Sequence, residues 1–242
     1  MKRKALIMCG GWDGHEPELV TGRFEKFLES EDFEVSVERA VSVLENKARL
    51  MELDLFVPVW TMCTENLPGD YFEPLLEAAG AGLGVAGCHG GMCDAFRNNV
   101  AWQFLTGANW VSHPGCDGVP YRVNITGRPS PITEGIGDFD IVSEQYYLHV
   151  DPANEVLATT RFPVVKWYHS ANGPVDMPQV WTRKWGHGRV FYSALGHHND
   201  IFDIPQAWEL MKRGLLWASE SRRIAVEKGL SADDFASDRG MY

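Results

Sequence analysis

Leu83-Gly-Val-Ala-Gly-Cys-His-Gly-Gly-Met-Cys-Asp-Ala-Phe96 is the stretch that decides the fold. A short apolar run over 83–86 stops at Gly87, Gly90 and Gly91 follow at once, and a helix-compatible segment starts near Met92. Strand, tight glycine turn and helix is the layout that lifts one side chain to the top of a parallel sheet. The glycines supply backbone angles that a side chain would block. His89 is two positions from Gly87 and two from Gly91, the spacing of a nucleophile elbow with an imidazole where Ser or Cys would sit. A tight strand-to-helix turn holding a hydrogen-bonded histidine is the structural alternative.

Upstream, the chain alternates in the same rhythm. Residues 5–9 form a buried-strand run that ends in Gly10-Gly11 and then Trp12-Asp13-Gly14-His15. Over 17–30, Leu19, Val20, Phe24, Phe27 and Leu28 recur at helical spacing, with Pro17 in the first turn. Residues 33–37 alternate as a strand, and Ser42 caps a short helix through 51. Residues 53–60 are too apolar for a strand with one wet face, and 67–79 read as a further helix. The order predicts an α/β fold: a three-layer, doubly wound, flavodoxin-like and mostly parallel sheet with right-handed crossovers. Ligands in such sheets bind at the carboxyl ends of the strands. Topology then brings Trp12-Asp13-Gly14-His15, Trp60-Thr61-Met62-Cys63 and Gly87-Cys88-His89 to one edge.

After Gly107 the rhythm changes. Residues 107–118, with His113-Pro114, read as a loop, and 119–126, 139–147 and 155–168 as strands. A loop over 174–178 leads into a hairpin of 179–184 and 189–194 around Trp185-Gly186-His187-Gly188. A last helix over 205–219 carries Trp208, Met211, Leu215, Leu216 and Trp217 on one face. One domain is expected over 1–219, its second half adding antiparallel strands. Residues 220–242 read as a charged, solvated C-terminal extension able to wrap a neighbouring subunit, so a homo-oligomer is expected.

The chain of 242 residues can bury a full core. A net charge of −11 argues against a nucleic-acid or anionic-membrane partner. No apolar run approaches the roughly 20 residues that span a bilayer. The run over 5–8 is too short for a signal peptide's apolar core, so a cytoplasmic protein is expected. Cys9, Cys63, Cys88, Cys93 and Cys116 are odd in number and form no CxxC pair, which suits reduced thiols. No GxGxxG follows the first strand, so nicotinamide binding is not indicated.

Several motifs in order carry a family resemblance: Gly10-Gly11 with His15, the Gly87–Gly91 elbow, His113-Pro114, Pro131-Ile132-Thr133-Glu134-Gly135-Ile136, and Glu144-Gln145-Tyr146-Tyr147. Trp181-Thr182-Arg183-Lys184-Trp185-Gly186-His187-Gly188-Arg189-Val190-Phe191-Tyr192 and Leu195-Gly196-His197 complete the set. Together they resemble the trehalose-utilisation (ThuA-like) family, with its class I glutamine-amidotransferase-like fold. The resemblance implies a small-molecule carbohydrate as ligand, processing of a sugar or oxidised sugar, and a sugar dehydrogenase as a possible partner. It also places His89 where amidotransferases carry their Cys. Imidazole cannot form the thioester of glutamine hydrolysis, so that activity is not expected. Cys88 is one residue away, and that shift turns its side chain to the opposite side.

The resemblance sets His197, in Gly196-His197-His198-Asn199-Asp200, where amidotransferases hold their triad His. If the folds correspond, His197 meets His89, and Glu144, Asp13 and His15 surround the same pocket. His89, His197 and Glu144 are the candidates for acid–base catalysis. His15, His89, His197 and Glu144 are the candidates for a divalent metal such as zinc, although no HExxH-type spacing is present. Glu144, among Ile141, Val142, Tyr146 and Tyr147, would have its proton affinity raised by burial or be held by a partner, and His149 is one such partner. Trp12, Trp60 and Trp110 lie at or near the ligand edge; Trp12 and Trp60 are the candidates to offer flat faces to a sugar ring, and Asp13, His15 and Gly90 complete the substrate-binding candidates. The structural alternatives are a loop hydrogen bond for His15, a strand-end role for His197 and an exposed strand position for Glu144. Asp94 is expected to favour the helix N-terminus electrostatically. A non-catalytic sugar-binding or assembly module is the rival to an enzyme.

Overall fold

Burial separates two kinds of strand. β3 (Leu55–Thr61) and β4 (Gly84–Cys88) are buried almost throughout and β1 (Arg3–Gly11) through its middle, as strands covered on both faces must be. β6 (Val119–Ile125) and β7 (Phe139–Ser143) begin with strict alternation of buried and exposed residues, one face dry and one wet. The computed structural model describes residues 2–62 and 67–236. Cys63, expected beyond the end of β3, lies outside the described residues, as do residues 237–242.

In chain order the first half runs β1, α1 (Pro17–Ser30), β2 (Phe33–Glu38), α2 (Lys47–Leu50), β3, α3 (Glu73–Gly80), β4, α4 (Gly90–Cys93) and α5 (Val100–Thr106). The second half runs β5 (Ala108–Ser112), β6, β7, β8 (Tyr147–Val150), β9 (Glu155–Phe162), β10 (Val175–Trp185), β11 (Gly188–Ser193) and α6 (Pro205–Lys228). The main sheet has nine strands in the order β2-β1-β3-β4-β11-β10-β9-β6-β7. The first five are mutually parallel, and each neighbouring pair from β11 to β7 is antiparallel. This is the expected doubly wound α/β sheet with antiparallel strands added by the C-terminal half. Among the described residues no helix is long and apolar enough to cross a membrane.

The period-two pleat splits the core into two layers. Ala5, Ile7, Leu55 and Val57 pack against Phe24 and Leu28 of α1 and Leu210 and Leu215 of α6. Leu6, Met8 and Phe56 face the other way, onto Leu50, Leu75, Ala78, Trp102 and Leu105 of α2, α3 and α5.

Several expectations need correction. The strand expected over 155–168 ends at Phe162, the loop expected over 174–178 is mostly the start of β10, and Asn46 rather than Ser42 caps α2. The segment 107–118 is not all loop: Ala108–Ser112 forms β5, which pairs with β8 as a separate two-stranded sheet. The strand expected over 139–147 is broken at Glu144-Gln145-Tyr146, which passes from one sheet to the other. There the amide of Gln145 donates to Thr160 Oγ1 (2.8 Å) and that of Gln179 donates to the Tyr146 carbonyl (3.0 Å). The boundary at 219/220 falls inside α6, which continues to Lys228. Its small buried residues Gly214, Ala218, Ser221 and Ala225 sit close to the sheet layer, and Ser221 Oγ donates to the Gly82 carbonyl at 2.8 Å. Beyond it a short turn, Ala232–Phe235, docks on this same chain, with Asp234 2.7 Å from His187 Nε2.

Candidate active site at the carboxyl edge of the sheet

β1, β3, β4 and β11 are parallel, so their carboxyl ends share one edge, and the antiparallel order sends β7 out at that edge too. His15 follows β1, His89 follows β4, Glu144 follows β7 and His197 follows β11. All four are buried, at 6%, 1%, 6% and 4% exposure.

His89 occupies φ 44° and ψ −135°, a left-handed conformation that a non-glycine residue adopts only where its surroundings enforce it. The enforcement is visible. The His89 N–H donates to the Ser193 carbonyl at 2.7 Å, and the Tyr192 hydroxyl donates to the His89 carbonyl at 3.2 Å. The ring stacks on Tyr146 with centroids 3.9 Å apart. Close approach from the other side depends on Gly90, because a Cβ there would lie 2.6 Å from the His15 ring. The helix after the elbow is only Gly90–Cys93, and Asp94 follows it. Asp94 is therefore at the C-terminal end of that turn, not at a helix N-terminus.

Three atoms converge. Glu144 Oε2 is 3.1 Å from His89 Nε2 and 3.3 Å from His197 Nδ1, and those two nitrogens are 3.3 Å apart. The other nitrogen of His89, Nδ1, is 2.8 Å from the Ala194 carbonyl. A carbonyl only accepts, so Nδ1 carries the proton and a neutral ring turns a lone pair inward from Nε2. Burial keeps that ring neutral by lowering its proton affinity, although Glu144 pulls the other way. Burial would raise Glu144, but the adjoining His197 and His89 side chains outweigh it and hold the carboxyl below the usual carboxylate range. His15 is pushed down to about 2, first by burial and then by the neighbouring imidazoles His89 and His197. The centre thus sets a carboxylate oxygen against the lone pair of His89 Nε2, with His197 Nδ1 close to both.

His15 closes the group edge-on, its ring 4.8 Å from His89 and 4.9 Å from His197, with Nδ1 buried and unpartnered. A ligand atom from each of His15, His89, Glu144 and His197 lies within 4.8 Å of the others. Three imidazoles and a carboxylate are donor types suited to a divalent metal such as zinc.

The remaining candidates divide. Trp12 is 49% exposed and meets His15 edge-on at 4.9 Å, so its indole stands at the rim. Trp60 is half-buried against the core, its ring so close over Gly10 that a Cβ there would approach to 2.5 Å. Asp13 is exposed on the turn that carries His15. Cys88 lies on the other side of the elbow, close to Gly196 and Phe202, and burial pushes its thiol up to about 12. His149, proposed as the partner of Glu144, is exposed on β8 opposite Asn109. His113 takes that place, with Nδ1 3.5 Å from Glu144 Oε1. His113 and Tyr146 are the residues that sequence reasoning missed as site members, though both lie in motifs that carried the resemblance.

The family sequence model described as trehalose utilisation matches residues 4–218. Among solved structures, a ThuA-like protein from Bacteroides uniformis superposes with a TM-score of 0.71 at 20% identity, covering 95% of this chain and 94% of that one. One from Parabacteroides merdae gives 0.68 at 18% identity, covering 90% of each chain. A cytoplasmic protein from Salmonella typhimurium LT2 gives 0.57 at 12% identity, covering 91% of this chain and 99% of that one. No curated protein sequence matches the chain.

Proposed function

The chain belongs to the trehalose-utilisation (ThuA) family, and from that premise we propose that it performs metal-assisted acid–base chemistry on a sugar or oxidised sugar at the centre of His89, Glu144 and His197. One observation carries the reading: Glu144 Oε2, His89 Nε2 and His197 Nδ1 converge at 3.1, 3.3 and 3.3 Å, with the lone pair of His89 turned on the carboxylate. A tetrahedral zinc-type ion with bonds of about 2.0–2.1 Å spaces its ligand atoms roughly 3.3–3.4 Å apart. His89 Nε2, His197 Nδ1 and Glu144 Oε2 would hold the ion, and the unpartnered His15 is the nearby fourth donor. Such an ion supplies Lewis-acid polarisation of a sugar carbonyl or hydroxyl.

The chain's own groups would then divide the work. Glu144 Oε1 remains free to accept a proton from the substrate, and His113, 33% exposed at its side chain, passes that proton towards water. Trp12 offers an apolar face to the sugar ring at the rim. A sugar dehydrogenase acting beforehand would supply an oxidised substrate, whose carbonyl acidifies the neighbouring C–H.

Elemental analysis of purified protein, with turnover assays on disaccharides and 3-keto-sugars, tests the reading. The expected result is about one divalent ion per chain, and turnover that disappears in His89→Ala and His197→Ala. Metal-free protein whose sugar binding survives both substitutions, with no turnover of any sugar, would instead identify a binding module.

A further inference from the structure

On the Oε1 side of Glu144 stands a second polar group that the three-atom centre does not use. Asp94 is 3% exposed, and its carboxylate pairs with Nε of Arg97. The Arg97 guanidinium lies 3.9 Å from the centroid of the Trp110 ring. Fixed at Nε and laid on an indole, it keeps both terminal NH2 groups without a partner among the described residues. Around it two further polar atoms are shut off from solvent and unpartnered, Trp110 Nε1 and Tyr146 Oη, while His113 Nδ1 meets Glu144 Oε1 at 3.5 Å. Trp110 lies 5.4 Å from His113 and 6.4 Å from Tyr146, ring to ring. Tyr146 is fully buried and stacks on His89, so this group adjoins the centre directly.

Trp110 Nε1 and Tyr146 Oη are buried donors left unmet, which costs a folded protein, and the Arg97 side chain beside them is 37% exposed and so reachable by a ligand. We propose that Arg97, Asp94, Trp110 and His113 form a sugar-binding subsite that takes the vicinal hydroxyls of a neutral sugar ring and sets the ring against Glu144. The planar fork of a guanidinium matches two adjacent oxygens, which a lysine cannot do. Asp94 already neutralises the arginine, so the subsite offers donors without net positive charge; that favours a neutral diol over a sugar acid. The proposal rests on the reading of this chain as acting on carbohydrate.

Calorimetric titration of the full chain with trehalose, methyl α-glucoside and glucuronate tests it, beside Arg97→Lys and Trp110→Phe. The wild type is expected to bind at least one neutral sugar, and glucuronate no more tightly. Arg97→Lys should weaken that binding roughly 10- to 100-fold, the loss of one charge-assisted bidentate contact. Trp110→Phe keeps the aromatic face, removes one donor and should weaken it by less. Both should keep the wild-type metal content and melting temperature. Unchanged binding in Arg97→Lys, tighter binding of glucuronate, or no binding of either neutral sugar overturns the subsite. Metal-free wild-type protein that still shows Arg97-dependent sugar binding would overturn the metal centre and leave the subsite standing. Stoichiometric metal with Arg97-independent sugar binding would do the reverse.

Discussion

The two oxygens of Glu144 look into opposite environments. Oε2 faces His89 and His197 at 3.1 and 3.3 Å, where the lone pair of His89 Nε2 meets the carboxylate. Oε1 faces His113, beyond which Arg97, Trp110 and Tyr146 hold donors that outnumber acceptors. On the proposed reading a cation would complete the first side and an oxygen-rich ligand the second. One carboxylate would then divide the site into a half for charge and a half for hydroxyls, and couple the two.

Glu144→Gln strikes both halves and should have the largest effect. We expect turnover to fall at least about 100-fold together with metal content, since ligand changes in such sites cost more than changes in the groups supporting the ligands. Metal content unchanged in that variant would break the comparison. Next, zinc at about 100 times its dissociation constant should stabilise the wild type by about 2.7 kcal/mol. For a domain of this size that is roughly 5–10 °C in melting temperature. His89→Ala should show no such shift in a thermal scan.

The Oε1 half answers to His113→Gln. Turnover should fall about 10-fold or more, as for loss of a proton relay, while metal content stays at the wild-type level. Loss of metal would place His113 in the other half.

His15 gives a pH test. Its folded proton affinity is displaced to about 2 by burial, far below an unfolded histidine near 6.5. The unfolded chain thus takes up the proton first, and stability falls as pH drops below about 6.5, by about 1.4 kcal/mol per pH unit for this one group. Denaturant melts of chelator-treated protein at pH 7.5, 6.5 and 5.5 should show that slope reduced in His15→Gln. The smallest effect is expected at Cys88. With its thiol pushed up to about 12, it should resist iodoacetamide at pH 8 while exposed Cys116 reacts, and Cys88→Ala should retain turnover.

The half of the site built on parallel strands was legible before any coordinates. Gly87 and Gly91 bracket His89 in the sequence, unbroken apolar runs mark β1, β3 and β4, and α1 runs from Pro17 to Ser30 as its apolar spacing requires. Glu144 and His197 were named as candidates because family motifs contain them; nothing in local pattern could bring them to His89. The Oε1 half was hidden because β5 is five residues long, follows Gly107 and has mostly half-buried residues, so it reads as loop. With β5 unseen, Trp110 and His113 had no defined place relative to Glu144. The end of α6 was misjudged for a related reason. Its buried stripe is made of Gly, Ala and Ser, which contribute no hydrophobic signal, while Arg222, Arg223 and Glu227 give the segment a solvated look.

The atom that decides which nitrogen of His89 faces inward is the main-chain oxygen of Ala194. Side-chain replacement cannot remove it, because every residue type carries the same carbonyl. The tautomer is accordingly written into the path of the chain just after β11, and a substitution at position 194 reaches the imidazole only by moving that path. Inserting or deleting one residue between Ser193 and His197 would be far more disruptive to the centre than most changes of side chain there.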